Sequence, residues 1–421
     1  MIRVAAASVD ITPDRPLHLG GSWSRAGPVL STGVDEALEA NLLLIDSPEE
    51  CVILVSVDAL FTGPDAAKDI ASVCARGGHP VRVFALATHT HRAPMLDRGK
   101  PRLGKRDERW YCDVLVRICH AAEKMLKSLA AAGSLSVACR DVSGSIGRRS
   151  EITRPVIHGR RLKRSGPVTG PNPDAVCAPA CRCAVLRHAS GAVVCVLVCW
   201  ACHPSDYPER DRVSPDFIGT VRTAVRSAVG ECPVLFLQGF SGDVRPHVPI
   251  ARTIRNVARR LVRGPVFMTP TLREWQSWAD SIGVQIACIA KEAQAAEGKH
   301  ADTCHISEAN VPISSLLGGR DRGLLRACSL TIGAVELVMM TAEVSAEYAQ
   351  LVEGVGAWPV GCLDNVFGYL PTDAQIPEGG YEVEGFRGPF GISGRFIGNN
   401  DATFRRLLSD VCANAGQGAA A

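Results

Sequence analysis

Five stretches of this sequence, 51–57, 81–87, 193–201, 234–237 and 330–340, are almost continuously apolar and rich in β-branched residues. A strand with one wet face alternates apolar and polar side chains. Runs without that alternation are what strands covered on both faces look like. Helix-period patterns separate them at 110–131, 218–229, 270–297 and 343–351. The expected fold class is therefore α/β, a mixed central β-sheet flanked by helices. Two stretches lack either period, 143–179 and 354–398, and read as long loops of the kind that border binding sites.

Charge and composition exclude several classes. Lys and Arg number 46 against 43 Asp and Glu, a net charge of +3, too small to imply a nucleic-acid partner. Arginines cluster at 98–109, 154–164 and 252–263 without interleaved aromatics to stack bases. No apolar run is long enough for a membrane span, and the first ten residues carry no sustained apolar core, so a cytoplasmic location is expected. The 17 cysteines are spread over 421 residues and sit largely in apolar strands, where they act as small hydrophobes. Cys181 and Cys183 have no second close pair at zinc-ribbon spacing and are read as structural.

The polar residues that follow the apolar runs are the candidates for chemistry. Ala85-Leu86-Ala87-Thr88-His89-Thr90-His91 is a strand that ends in two histidines one residue apart, which a pleat points to the same side. Asp58, His203, Gly242-Asp243 and Glu343 likewise follow strand-like runs. Open α/β sheets bind ligands outside the carboxyl ends of their strands. Two histidines and a carboxylate are the protein part of a hydrolytic zinc site, and His89, His203 and Glu343 supply that set. Each has a plainer alternative: His203 closes a strand before Pro204, and Glu343 suits the first turn of a helix. Asp58 and Asp243 are placed either to orient histidine N–H groups or to cap a neighbouring helix.

Five blocks in order resemble the neutral/alkaline, non-lysosomal ceramidase family: Val9-Asp10-Ile11-Thr12-Pro13; Ala87-Thr88-His89-Thr90-His91; Ala201-Cys202-His203-Pro204 with Val213-Ser214-Pro215-Asp216-Phe217-Ile218-Gly219; Leu237-Gln238-Gly239-Phe240-Ser241-Gly242-Asp243-Val244-Arg245-Pro246; and Gly368-Tyr369-Leu370-Pro371-Thr372 with Gly380-Tyr381-Glu382. The resemblance implies a single zinc amidase domain over 1–400, followed at 401–421 by a C-terminal helix and a disordered tail. It implies Zn2+ held by His89, His203, Glu343 and Tyr369 at the strand ends, with His91 beside the metal and Tyr381 facing the reacting carbonyl. His91, Tyr381 and the N–H groups at Gly242-Asp243 are the candidates for stabilising the oxyanion.

The sequence departs from that family in three ways. Arg245 stands where the family has a serine, the residues after Gly398 are too few for the C-terminal β-sandwich of its long enzymes, and no export signal is seen. The expected activity is thus zinc-dependent hydrolysis of an amide bond, by a zinc-activated water, in a small or polar N-acyl molecule. Arg245 and Arg148-Arg149 are candidates to pair with an anionic group on it. The alternatives are a zinc esterase or deacetylase acting on a sugar or secondary metabolite, and a non-catalytic metal-bound binding protein. Self-association into a homo-oligomer stays open.

Overall fold

The computed structural model of the chain describes residues 2–24, 27–75, 80–158, 161–163, 165–251 and 253–413. Its large sheet runs in the order Val234–Gln238, Val193–Trp200, Ala180–His188, Ala130–Asp141, Arg3–Asp10, Glu39–Asp46, Cys51–Val57, Val81–Ala87, with the short Lys299–His300 strand beside Ala130–Asp141. Only the outermost pairs, 193–200 with 234–238 and 51–57 with 81–87, are parallel. Each needs a crossover, and helices Phe217–Val229 and Gly63–Cys74 supply them. The two halves of the sheet are joined through only two residue pairs, Arg3 with Ala131 and Val4 with Ala130. The sheet folds back at this joint, and strand 234–238 packs across 39–46, 51–57 and 81–87. The Ser56 hydroxyl donates to the Phe236 carbonyl at 2.6 Å across that contact.

The full apolarity of the strands follows from what covers them. Val196, Val198 and Trp200 face helices Phe217–Val229 and Leu272–Ala295. Leu197 and Cys199, one residue out of step, face a second sheet of Cys304–Pro312, Leu324–Ile332, Val335–Met340 and Trp358–Val360. The far side of that sheet carries helix Asn400–Ala413 through Phe404, Leu407 and Val411. Each aliphatic side chain enclosed this way contributes about 1.5–3 kcal/mol of burial free energy.

The 51–57 and 81–87 runs form strands with the expected bounds. Other segments differ. The run 330–340 is two strands of a hairpin that turns at Gly333, which has a φ of 54°. The 110–131 helix is Glu108–Lys127, because Ala130 already begins a strand. The 343–351 pattern is not one helix: Glu343–Val344 is a two-residue strand, and a helix starts only at Ala349. The stretch 143–179 is not a loop but contains strands Ser145–Glu151 and Pro167–Asn172, the first buried over most of its length. Of the tail expected to be disordered, residues 414–421 lie outside the described residues.

Candidate metal centre

His89 is a buried non-glycine residue at φ 70°, a left-handed conformation that costs about 1–3 kcal/mol and persists only where neighbours enforce it. They do so by two bonds. Its N–H donates to the Ala59 carbonyl at 2.9 Å, and its Nδ1 lies 2.9 Å from the Leu60 carbonyl. A carbonyl can only accept, so Nδ1 carries a proton, and Nε2 is the ring atom that faces Glu343. His89 and His91 therefore converge through a turn rather than a pleat, with ring centroids 5.4 Å apart.

His203 comes from the end of strand 193–200, and its loop is stitched to the first by the His91 N–H on the Pro204 carbonyl at 3.3 Å. The Nε2 atoms of His91 and His203 are 3.0 Å apart, a hydrogen bond in which one ring donates. Nitrogens of His89, His91 and His203 all lie within 4.8 Å of one another. Glu343 enters from the opposite side, its short strand paired in register with Tyr369. The loop carrying Gly242 is bonded to that strand, Gly242 N–H to the Val344 carbonyl at 2.8 Å. A Cβ on Gly242 would stand 2.7 Å from the Glu343 carbonyl oxygen, so the approach requires glycine.

Glu343 Oε2 is 3.2 Å from His89 Nε2, an ion-pair distance, and both atoms are buried. A buried imidazole and carboxylate that close together are matched to a positive charge, either a proton or a metal cation. The titration of the rings agrees. Burial, then the neighbouring His89 and a cationic arginine, push His91 and His203 well below the usual histidine pKa, leaving neutral imidazoles. Burial also opposes charge on His89, but Cys362 and Glu343 against it raise its pKa. The spot favours positive charge.

Arg148, from the buried strand Ser145–Glu151 and read from the sequence only as an anion partner, sits against the candidate ligands. Its Nη2 donates to the Tyr369 hydroxyl at 3.1 Å, its Nε to Glu382 at 2.7 Å, and its Nη1 approaches His203 Nδ1 at 3.5 Å. Burial disfavours its charge, but Tyr369, Glu382 and Glu343 hold the pKa above its ordinary value. Tyr381 sets its ring 5.6 Å from that of Tyr369, and partial burial with the Glu343 charge pushes its phenol up to about 12. Burial and Glu343 also raise Tyr369.

Asp58 and Asp243, read as either orienting a histidine or capping a helix, have these partners. Asp58 binds Arg222 at 2.6 and 3.0 Å and the Thr88 hydroxyl at 3.1 Å. Asp243 accepts from Ser345, the Ala346 N–H and Gln375, at 2.7 to 2.8 Å. Among the described residues no bond links either to a histidine, and Asp243 locks the loop after Glu343. Arg148 and Arg149 pair with Glu382 and Glu378 and so do not supply an uncompensated anion site. Arg245 pairs with Asp206 and stacks over Phe267. Burial, and secondarily Arg148, lower its pKa to about 9. A cavity of about 250 Å³ beside His91 is lined by Ser22, Arg92, Asp206, Arg210 and Arg245. It shares Asp206, Phe267 and Met268 with a groove of about 550 Å³.

No known family profile and no curated protein sequence matches this chain. Solved structures do. Neutral ceramidase from Pseudomonas aeruginosa superposes with a TM-score of 0.69 at 15% identity, over 97% of this chain and 74% of that one. A ceramidase complexed with C2 gives 0.69 and 15%, over 99% and 75%. Nearly the whole chain thus adopts the fold of the neutral ceramidases.

Proposed function

We propose that this protein is a zinc-dependent hydrolase that cleaves the carbon–nitrogen amide bond of an N-acyl substrate bearing an anionic group. The observation that carries the reading is the convergence of the His89, His91 and His203 ring nitrogens within 4.8 Å, with Glu343 Oε2 3.2 Å from His89 Nε2. His89, His203, Glu343 and Tyr369 would hold the ion. His91, its Nε2 3.0 Å from that of His203, would orient this ligand. When bound, zinc lowers the pKa of water and polarises a carbonyl.

The other groups stabilise the charge that amide hydrolysis develops on oxygen. Tyr381, protonated up to about pH 12, is a neutral hydrogen-bond donor at physiological pH. Arg148 adds a buried positive charge beside Tyr369. Arg245 and Arg92 would take the anionic group. Both have a buried Nε without a partner, and among the described residues Arg92 has no carboxylate within ion-pair distance.

Metal analysis of protein purified without chelator tests the reading, with about one zinc per chain expected. Acid release from N-acyl amino acids, set beside the matching O-acyl esters, then assigns the bond. Absence of stoichiometric divalent metal overturns the reading, and preference for the esters overturns its amide part.

A further inference from the structure

Away from the metal centre, helix Ile254–Arg263 presents its aliphatic residues outward. Ile254 is 91% exposed, Leu261 60% and Val262 54%. Aliphatic exposure this dense on a ten-residue helix is not explained by scatter over a normal surface. The hairpin of Val156–His158 and Arg161–Lys163 adjoins it: Arg154 donates to the Leu261 carbonyl, and Gly264 packs on Val156. Its outward pair, Ile157 opposite Leu162, is exposed too.

The charge on this face is mostly positive, with Glu151 lining the hollow beside Arg154 and Arg260. Residues 246–272 contain five arginines and no acid, and 152–173 contain four arginines, one lysine and no acid. Arg259, Arg260 and Arg263 are exposed and form no ion pair among the described residues. Exposed aliphatics ringed by arginine are the signature of a helix that lies in a lipid headgroup layer, apolar side down and cations on anionic lipid. A second copy of the same face would bring like charges together. A nucleic acid would want aromatics, and the helix has none.

We propose that helix Ile254–Arg263 and the strand pair Val156–His158 and Arg161–Lys163 dock the protein on an anionic membrane surface. Val257 and Leu261 also line the groove that shares Phe267 and Met268 with the cavity at His91. Docking therefore sets the mouth of that groove against the headgroups, where an N-acyl amphiphile resides. The surface argument stands without the proposed chemistry.

Cosedimentation with phosphatidylcholine vesicles, with and without 30% phosphatidylglycerol, tests it on the full chain. Binding is expected only to the anionic vesicles, weakened roughly tenfold or more by 0.5 M NaCl. Ile254→Asp and Leu261→Asp, both at exposed positions, are expected to abolish it while thermal melting and metal content stay at wild-type values. Arg259→Gln with Arg260→Gln supplies a second, milder variant and should weaken it. Equal binding to both vesicle types, no binding, or retention by duplex DNA that survives Ile254→Asp overturns the proposal. So does a dimer in sedimentation velocity that Leu261→Asp dissociates without any vesicle binding.

Discussion

The guanidinium of Arg148 donates to the Tyr369 hydroxyl at 3.1 Å while Glu382 holds its Nε at 2.7 Å. The planar fork thereby fixes Tyr369 relative to a buried charge, a geometry that a lysine ammonium does not reproduce. Arg148→Lys is expected to lower kcat about a hundredfold, the scale of losing one donor to a developing oxyanion, with KM little changed. The fold should survive, because Arg149 still meets Glu382 at 2.9 Å. Steady-state kinetics with metal content measured in parallel would check this. A variant with wild-type kcat removes Arg148 from the chemistry.

Gly242 controls how closely its loop approaches Glu343. In Gly242→Ala the methyl would meet backbone oxygens of Glu343 and Val344 at 2.7 and 2.9 Å, and neither can swing aside as a side chain would. A destabilisation of about 1–3 kcal/mol is expected, as for other overpacked sites. Because Glu343 moves with its own carbonyl, zinc affinity should fall as well. Thermal melts and chelator competition measure the two effects. Unaltered zinc affinity would mean that Glu343 is not a ligand.

Arg245 distinguishes substrates. Arg245→Gln removes the charge beside Phe267 and Asp206 without touching His89, His203 or Glu343. For an N-acyl substrate with a carboxylate, KM should rise about tenfold or more, the loss of one charge-assisted contact. For the matching neutral amide it should stay near its wild-type value. Equal effects on both substrates would show that Arg245 serves the fold and not the ligand.

What the sequence made legible follows from burial. Strands 51–57 and 81–87 are read to the residue because two apolar layers leave only Ser56 and Arg82 polar in them, and His89 and His203 stand out just beyond the ends of strands 81–87 and 193–200. The strand Ser145–Glu151 was invisible for the opposite reason. Its Gly-Arg-Arg core looks like a wet loop, and only Glu382 and Glu378, more than 200 residues away, make its burial tolerable. Asp58 misled because a strand-end carboxylate carries no local mark of its partner, and Arg222 meets it only after the helix Phe217–Val229 is packed. Glu343 was expected to begin a helix, since nothing local announces a two-residue strand held by Tyr369.

Glu36 links that same network to pH. Its carboxylate lies over Gly219 at the start of helix Phe217–Val229. Burial raises its pKa to about 7, Arg222 opposes this, and Asp58 and Glu39 add to it. The ordinary value is 4.5, so between 4.5 and 7 the folded chain holds a proton that the unfolded chain has lost. Folding stability should therefore fall as pH rises through that window and level off above it, by roughly 3 kcal/mol. Glu39 acts the other way. Despite burial, Arg226 and Arg222 bring it to about 2, so its contribution is present above 4.5 and is lost as pH falls toward 2. Glu36→Gln cannot ionise. Its melting temperature should match wild type near pH 4 and exceed it increasingly from pH 5 to 7, with a constant gain beyond. Melts taken across pH 4 to 9 would reveal this divergence, and a gain already present at pH 4 would place the effect in packing against Gly219.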